Sequence, residues 1–219
     1  MKQIIQQKYD KNNLNKLQTE LFDGRIIVLS SIKQVDRAVE YLANQKLIGV
    51  DTETKPSFKK GQVNKVAILQ LATEDTAFIF QLKFTGLPDS LIAILENDNI
   101  TKVGLSLKDD ILMLSKRRRF KPANFVELQT LVKEIGIQDM SLQKIYANLF
   151  GMKISKRKQL SNWNADILDD GQKKYAALDA VACIRIYNKI NQLKRSDDYV
   201  LEIQCDNNEE QWPKPLLRK

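Results

Sequence analysis

Apolar runs bounded by charged or turn-forming residues predict a series of β-strands in the first two thirds of the chain. The run Leu47-Ile48-Gly49-Val50 leads directly into Asp51-Thr52-Glu53-Thr54. Four consecutive non-polar residues are typical of a strand that is covered on both faces. Similar runs predict further strands at residues 25–29, 66–72, 77–82, 101–107 and 125–127.

Stretches with apolar residues three and four positions apart predict helices between and after these strands. One is capped by Ser30 or Ser31 and ends at Ala43, and the others span residues 90–96, 109–119, 128–135, 141–150 and 169–193. Strands 47–53, 66–72 and 77–82 are close enough in sequence to form an antiparallel meander, and a later strand reached through a helix can pair parallel to the first. We therefore predict an α/β fold with a mixed five- to six-stranded sheet and helices on both faces.

The two ends of the chain differ from this central part. Residues 1–24 form a predicted N-terminal appendage, in which an apolar stripe indicates a short amphipathic helix that packs on the main body. The stripe consists of Leu14, Leu17, Leu21 and Phe22. The main domain covers residues 25–195, and the polar residues 196–219 predict an irregular C-terminal tail.

Asp51 and Glu53 form the most informative pair of polar residues. Residues two apart in a strand point to the same face, so both carboxylates are expected side by side at the end of strand 47–53. Two anions this close repel each other unless a cation lies between them, and a hard divalent cation such as Mg²⁺ or Mn²⁺ favours oxygen ligands. A solvated acidic turn after a strand is the alternative interpretation.

The composition narrows the chemistry and indicates a partner. The 219-residue chain has no histidine, which excludes Ser-His-Asp and Cys-His nucleophiles and histidine-ligated zinc. Its net charge of +8 favours a polyanion such as nucleic acid, although an acidic protein or an anionic membrane surface would fit the same charge. The positive charge is concentrated in three stretches: Lys55, Lys59, Lys60 and Lys65; Lys116, Arg117, Arg118, Arg119 and Lys121; and Lys153, Lys156, Arg157 and Lys158.

Other features bear on the location of the protein. No apolar run reaches membrane-spanning length, and the polar N-terminus lacks a secretory signal. Cys183 and Cys205 form neither a disulfide framework nor a paired zinc motif. We expect a cytoplasmic protein with no membrane partner, and the sequence leaves its oligomeric state open.

Two further acidic positions stand out because of their surroundings. Asp179 lies in the apolar stretch 175–183 of the longest predicted helix, where a charged residue needs a partner or a metal ion. Tyr175, four residues earlier, lies on nearly the same face of that helix. Asp109 and Asp110 open another helix, where an acidic pair can simply cap the helix and complement its dipole.

Together, the Asp-x-Glu, the later Asp and the Tyr-x-x-x-Asp resemble the motifs of the DEDDy 3′→5′ exonuclease superfamily. Within it, the chain resembles the Werner-syndrome-type exonuclease domain and, less closely, ribonuclease D. The stretches Gly61 to Leu71 and Leu160 to Trp163 add to the resemblance, which covers about residues 25–193. It implies a ribonuclease H-like sheet. In the family, the spacing between the strand segment Lys102-Val103-Gly104 and the third acidic motif residue falls on Asp110. Asp109 would then be the cap of the helix.

The resemblance also implies roles for these residues. Asp51, Glu53, Asp110 and Asp179 would bind two Mg²⁺ or Mn²⁺ ions, with Asp51 bridging both, and Tyr175 would orient the attacking water. The expected reaction is hydrolysis of phosphodiester bonds from the 3′ end of a nucleic acid, releasing nucleoside monophosphates. Thr54 would touch the terminal nucleotide, and Lys65 and the 153–158 run are candidate phosphate contacts.

Several alternatives stay open at this point. A nucleic-acid-binding module without turnover could use the same fold, and Asp-Thr-Glu-Thr loosely echoes the Asp-x-Asp signature of aspartyl-phosphate phosphatases. The latter leaves Tyr175 and Asp179 unexplained. Werner-type similarity favours DNA as the substrate, whereas similarity to ribonuclease D keeps RNA 3′-end processing possible. Trp163 can stack on a base or, more simply, pack against the last helix.

Overall fold

The computed structural model describes residues 2–57, 61 and 64–203. Lys59, Lys60, Gln62, Val63 and the tail beyond residue 203, with Cys205, lie outside the described residues. None of the described helices combines the length and the apolar character that a bilayer crossing requires.

The strands of the described residues form two sheets. In chain order they are β1 (Gln3–Gln6), β2 (Arg25–Leu29), β3 (Leu47–Thr54), β4 (Val66–Ala72), β5 (Thr76–Gln81), β6 (Thr101–Gly104), β7 (Phe125–Glu127) and β8 (Tyr199–Glu202). Six of them form the main sheet in the order β2-β5-β4-β3-β6-β7, whereas β1 and β8 pair with each other in a small parallel sheet.

The main sheet is mixed, as the sequence predicts. β3, β4 and β5 form the expected antiparallel meander, and β6 pairs parallel to β3. β2 pairs parallel to β5, and β7 pairs parallel to β6. The prediction of a mixed sheet with five to six strands is therefore confirmed, although β6 ends at Gly104 rather than continuing to Leu107.

Helices cover both faces of this sheet. They are α1 (Lys11–Leu14), α2 (Ile32–Leu42), α3 (Leu82–Thr85), α4 (Asp89–Leu95), α5 (Leu107–Ser115), α6 (Leu128–Leu131), α7 (Leu142–Phe150) and α8 (Asp170–Ser196), with a 3₁₀ turn at Val132–Ile135. Buried residues of α2, α4 and α5 pack on one face, against Ile48 and Val50 of β3. The opposite face packs against α8 together with α6 and α7. Alternate residues of β3 thus enter two different cores, which explains its continuous apolar run.

A close approach between β3 and α8 fixes the geometry of the centre. Gly49 points toward α8, and a Cβ atom added there would lie 2.0 Å from the carbonyl oxygen of Ala180. Only a residue without a side chain allows this approach. Asp51 and Glu53 follow Gly49 on the same face of the strand, so they also point toward α8.

Residues 1–24 contain a short helix, α1, with Leu14 buried, but the predicted apolar stripe does not form one helix from Leu14 to Phe22. α1 covers only Lys11–Leu14, and Leu21 is 71% exposed. The chain after α1 instead runs beside Lys153, since the Glu20 amide donates to the Lys153 carbonyl at 2.8 Å and Thr19 forms an isolated bridge with Lys153. Backbone pairing with a distant segment therefore replaces the helix that the apolar spacing predicts.

The prediction of an irregular tail is also wrong for its first part. α8 continues to Ser196, and Tyr199–Glu202 form β8, which pairs residue by residue with β1 from Gln3↔Tyr199 to Gln6↔Glu202. Ile5 of β1 is fully buried in the core that α8 shares. The two ends of the described chain therefore belong to one packed unit with the main sheet.

Candidate metal centre and active-site cleft

The end of β3 carries the first two carboxylates of the site. The β3–β4 pairing runs regularly to Glu53 and shifts register between Glu53 and Thr54. Beyond this irregularity Thr54 pairs with Val66, so a bulge lies directly beside the acidic pair. The expected location of Asp51 and Glu53, side by side at a strand end, is what the structure has.

α8 brings the third carboxylate to the same place. One carboxylate oxygen each from Asp51, Glu53 and Asp179 can be chosen such that all three lie within 4.8 Å of one another. Asp179 is only 6% exposed, and its Oδ1 atom has no hydrogen-bond partner among the described residues. Tyr175 hydrogen-bonds to the same carboxylate from one turn earlier in the helix.

Asp110 lies at the edge of this cluster. It belongs to the first turn of α5, and its Oδ1 accepts a hydrogen bond of 2.5 Å from Thr52 Oγ1. Asp110 is not part of the three-carboxylate group, but its charge acts on both Asp51 and Glu53. The structure therefore places Asp110 next to the site. This location agrees with the selection of Asp110, rather than Asp109, as the motif residue.

The expected role of Asp109 as the helix cap is wrong. Asp109 is exposed, and α5 begins after Ser106, which has left-handed backbone angles and makes no side-chain cap. Glu127, the last residue of β7, supplies the cap instead: its carboxylate accepts from the backbone amides of Ser106 at 3.0 Å and Leu107 at 2.7 Å. A distant carboxylate thus neutralises the positive end of the helix that carries Asp110.

Burial and mutual repulsion hold the strand carboxyls close to neutrality. Burial raises the pKa of Asp51 well above its ordinary range, and the charges of Asp179 and Asp110 raise it further. Burial, followed by the charges of the same two residues, raises the pKa of Glu53 to about 9. Burial also raises the pKa of Asp110 to about 6, although the hydrogen bond from Thr52 opposes it. These carboxyls cannot all ionise at neutral pH without a cation.

Burial also raises the pKa values of the two site residues on α8. Burial raises the pKa of Asp179 to about 7, against the opposing effects of the Tyr175 hydrogen bond and the charge of Lys156. Burial and the charge of Asp179 raise the pKa of Tyr175 far above its ordinary value, so its phenol stays protonated at neutral pH. Tyr175 can therefore donate a hydrogen bond but cannot act as a base.

The donor set fits a hard divalent cation. All its atoms are carboxylate oxygens, which Mg²⁺, Mn²⁺ and Ca²⁺ prefer, whereas the thiolates and imidazoles that favour zinc are absent from the cluster. The unpartnered Oδ1 of Asp179 is a buried acceptor without a donor, a state that a bound cation relieves. The residues present therefore suit a metal centre better than a solvated acidic turn.

The cluster opens into a cleft of about 360 Å³. Its wall opposite β3 comes from the start of α7 and the segment before α8, with Ser141, Gln143, Lys156 and Gln159 among the lining side chains. Sequence reasoning missed Ser141, Gln143 and Gln159, because nothing in their local pattern marks them. Lys156 belongs to the basic stretch at residues 153–158, which the sequence did indicate as a candidate phosphate contact.

Two substrate contacts stay predictions. Thr54 is half-buried at the end of β3 and Lys65 is exposed, and neither is among the residues that line the cleft. Trp163 is buried and packs against Tyr175 with ring centroids 5.9 Å apart, so the packing interpretation is confirmed. Its Nε1 donates to the Gln159 carbonyl at 3.3 Å, which ties the cleft wall to the tyrosine.

One of the basic stretches is structural. Arg117 donates through Nε to the Val66 carbonyl at 2.6 Å and through a guanidinium nitrogen to the Leu82 carbonyl at 3.3 Å. Arg118 donates to the Leu87 carbonyl at 2.8 Å and pairs with Asp89. Arg117 connects the end of α5 to β4 and α3, and Arg118 connects it to the start of α4, so the 116–121 stretch is only in part available to a polyanion.

The fold and the acidic cluster define an α/β domain with a ribonuclease H-like sheet and a carboxylate site suited to a divalent metal ion. The particular family follows from comparison with known proteins. The model of the family described as 3′-5′ exonuclease matches residues 26–194, and the chain belongs to this family. The resemblance to exonucleases inferred from the motifs is confirmed.

Individual relatives agree with this assignment. The bifunctional 3′-5′ exonuclease/ATP-dependent helicase WRN of Mus musculus is 32% identical over 158 residues, which is 69% of this chain but 11% of that protein. The chain therefore spans about a tenth of that relative's length.

Solved structures share the fold. The Nibbler EXO domain of Aedes aegypti has a TM-score of 0.72 and 24% identity, and the match covers 83% of this chain and 94% of that one. The RNase D of Trypanosoma brucei in complex with RNA U12 has a TM-score of 0.67 and 19% identity over 77% of this chain and 63% of that one. At these identities the likeness concerns the fold.

Proposed function

We propose that this chain hydrolyses phosphodiester bonds at the 3′ end of a nucleic acid strand and releases nucleoside monophosphates. The observation that carries the proposal is the meeting of Asp51, Glu53 and Asp179 within 4.8 Å at the base of an open cleft. Membership of the 3′-5′ exonuclease family supports it. The aspartyl-phosphate phosphatase alternative has no role for a buried Asp179 hydrogen-bonded to a tyrosine.

The metal ligands follow from the positions of the carboxylates. We assign Asp51, Glu53 and Asp179 to one divalent ion, and Asp51 with Asp110 to a second. Two ions, Mg²⁺ or Mn²⁺, would neutralise charge on the phosphate and lower the pKa of an attacking water. Thr52 holds Asp110 in place through its 2.5 Å hydrogen bond, which keeps the fourth carboxylate near the other three.

The side chains of the cleft have their own tasks in this mechanism. Tyr175 stays protonated and lies beside Asp179, so it can donate a hydrogen bond that orients a water molecule for attack. Lys156 lines the cleft and places a positive charge near Asp179, where it can also meet a phosphate oxygen. The wall of Ser141, Gln143 and Gln159 offers polar groups to a nucleoside.

DNA is the proposed substrate, and RNA is the second candidate. The similarity to the Werner-type protein supports the first. The fold shared with a ribonuclease D solved in complex with RNA supports the second. Discrimination would need a group that contacts the 2′-hydroxyl of the terminal nucleotide.

The test uses 5′-labelled DNA and RNA oligonucleotides of matched sequence. With Mn²⁺ or Mg²⁺ the wild-type protein should shorten the strand from its 3′ end in single-nucleotide steps, and EDTA should stop the reaction. Asp51→Asn should abolish laddering while the protein stays folded. Binding of the oligonucleotide without chelator-sensitive laddering would instead identify a non-catalytic binding module and refute the proposal.

A further inference from the structure

A second depression lies next to the active-site cleft and shares Tyr175 with it. It has a volume of about 190 Å³, and its apolar lining includes Leu21 and Leu178. Ligand pockets usually exceed about 300 Å³, so this groove suits one flat group rather than a whole ligand. We call it the upstream groove.

The segment before α8 separates the two depressions. Its side chains alternate between them, since Ile154 and Lys156 line the cleft whereas Ser155 and Arg157 line the upstream groove. The two depressions are therefore neighbours divided by one thickness of backbone. A linear polymer bound across both depressions could place one of its repeating units in each of them.

The rim of the upstream groove is cationic. Arg157 and Lys174 both line it and are exposed, and among the described residues neither has a carboxylate within salt-bridge distance. Neighbouring charges are already matched, because Lys158 pairs with Asp169 at 2.7 Å and Glu20 pairs with Arg185 at 3.3 Å.

The far wall of the upstream groove comes from the segment before the matched family region. Thr19 to Phe22 line it, and the family match begins at residue 26. Backbone bonds to Lys153 hold this segment in place. Leu21 is 71% exposed and offers an apolar surface at this wall.

We propose that the upstream groove binds the second nucleotide from the 3′ end, with its base on Leu21 and Leu178 and its phosphate near Arg157 and Lys174. The inference rests on the proposed function, because the cleft must hold the terminal nucleotide. An apolar lining with a cationic rim is complementary to a nucleobase attached to a phosphate. Residues 19–22 are then part of the substrate site rather than an inert appendage.

The test compares the double variant Leu21→Ser/Lys174→Ala with the control Ile167→Ser/Lys33→Ala. Both pairs replace one exposed apolar residue and one exposed lysine, but Ile167 and Lys33 line neither depression. The probe is a fluorescent single-stranded octathymidylate, bound in Ca²⁺ over a range of salt concentrations. The groove variant should raise the Kd at least about fivefold, the lower end of a base contact.

Salt dependence and a truncated substrate give independent readouts. The groove variant should lower the slope of log Kd against log salt by about one phosphate contact. Thymidine 5′-(p-nitrophenyl phosphate) lacks the second nucleoside, so kcat/KM for the oligonucleotide should fall at least about fivefold more than kcat/KM for this ester. Equal losses on both substrates, or an unchanged Kd, would overturn the inference.

Crosslinking locates the nucleotide directly. 4-Thiothymidine at the second position from the 3′ end should crosslink to residues 19–22 or 174–178, and crosslinks confined to other segments would contradict the assignment. If the wild-type protein hydrolyses neither substrate, the proposed function fails. The binding and crosslinking results then still decide whether the upstream groove holds a strand.

Discussion

Replacing Asp179 by asparagine should stabilise the metal-free protein at pH 8. Asparagine has nearly the same shape but carries no charge, and Asp179 is 6% exposed among other carboxyls. The difference between its pKa of about 7 and the ordinary value of 3.8 corresponds to roughly 4 kcal/mol of unfavourable ionisation. The buried asparagine amide has its own desolvation cost of about 2 kcal/mol, so we expect a net gain of about 2 kcal/mol. That gain corresponds to a rise in Tm of about 4–8 °C.

The gain should depend on pH in a defined direction. Because the folded-state pKa of Asp179 is raised, its protonation stabilises the folded wild type fully below about pH 4, and this contribution is lost as the pH rises through about 7. The asparagine variant has no such group. The difference in Tm between variant and wild type should therefore be largest at pH 8 and should shrink toward pH 5.

Metal binding should reverse the order of stability. Mn²⁺ at a hundred times its Kd stabilises the wild type by about 2.7 kcal/mol, whereas Asp179→Asn should lose most of this effect with its ligand. Thermal unfolding followed by circular dichroism in EDTA and in Mn²⁺ measures both quantities. The control is Asp23→Asn, which removes an exposed carboxylate. A lower Tm for Asp179→Asn in EDTA at pH 8, or equal shifts with Mn²⁺ in both proteins, would refute the reasoning.

Three further changes test other parts of the site. Tyr175→Phe should lower kcat by about a hundredfold with little change in KM, because a water-orienting hydrogen bond is lost, and single-turnover hydrolysis measures this. Gly49→Ala should cost about 1–3 kcal/mol in urea unfolding, because the new methyl group would overlap the Ala180 carbonyl; an unchanged midpoint would mean that the helix can move away freely. Glu127→Gln should cost about 1 kcal/mol in thermal unfolding, because the charged cap of α5 is weakened, and equal stability would assign the cap to another group.

Much of the site could be predicted from the sequence because it depends on local periodicity. The period of two in β3 places Gly49, Asp51 and Glu53 on one face, and the helical period places Tyr175 beside Asp179. A carboxylate in an otherwise apolar helix is informative by itself, because burial without a partner is costly. The buried position of Asp179 agrees with that reasoning.

What could not be predicted depends on pairing between distant segments. β8 is only four residues long, and its partner β1 lies almost 200 positions earlier, so no local pattern indicates the pairing. The expected helix near Leu17 fails for the same reason, since the backbone at Glu20 bonds to Lys153. Apolar spacing shows which residues seek burial but not which distant backbone competes for their hydrogen bonds.

The cap of α5 shows the same limit for charged groups. Asp109 has the residue type and position of a cap, but the backbone at Ser106 turns left-handed and aims the free amides at β7. Glu127 reaches them because β6 and β7 are adjacent parallel strands. A carboxylate twenty residues away thus does what the nearer one cannot, and the sequence does not distinguish the two.

The distribution of positive charge gives the metal centre its character. The chain has a net charge of +8, yet Arg117 and Arg118 are bonded to backbone carbonyls and Lys158 pairs with Asp169. Lys156 acts on Asp179 from the cleft wall, but its charge does not bring the pKa of that carboxyl back to its ordinary value. An arginine within the carboxylate cluster would take the place of a divalent ion. Among the described residues that line the cleft, Lys156 is the single cation, so the carboxylate cluster keeps its preference for a hard divalent ion.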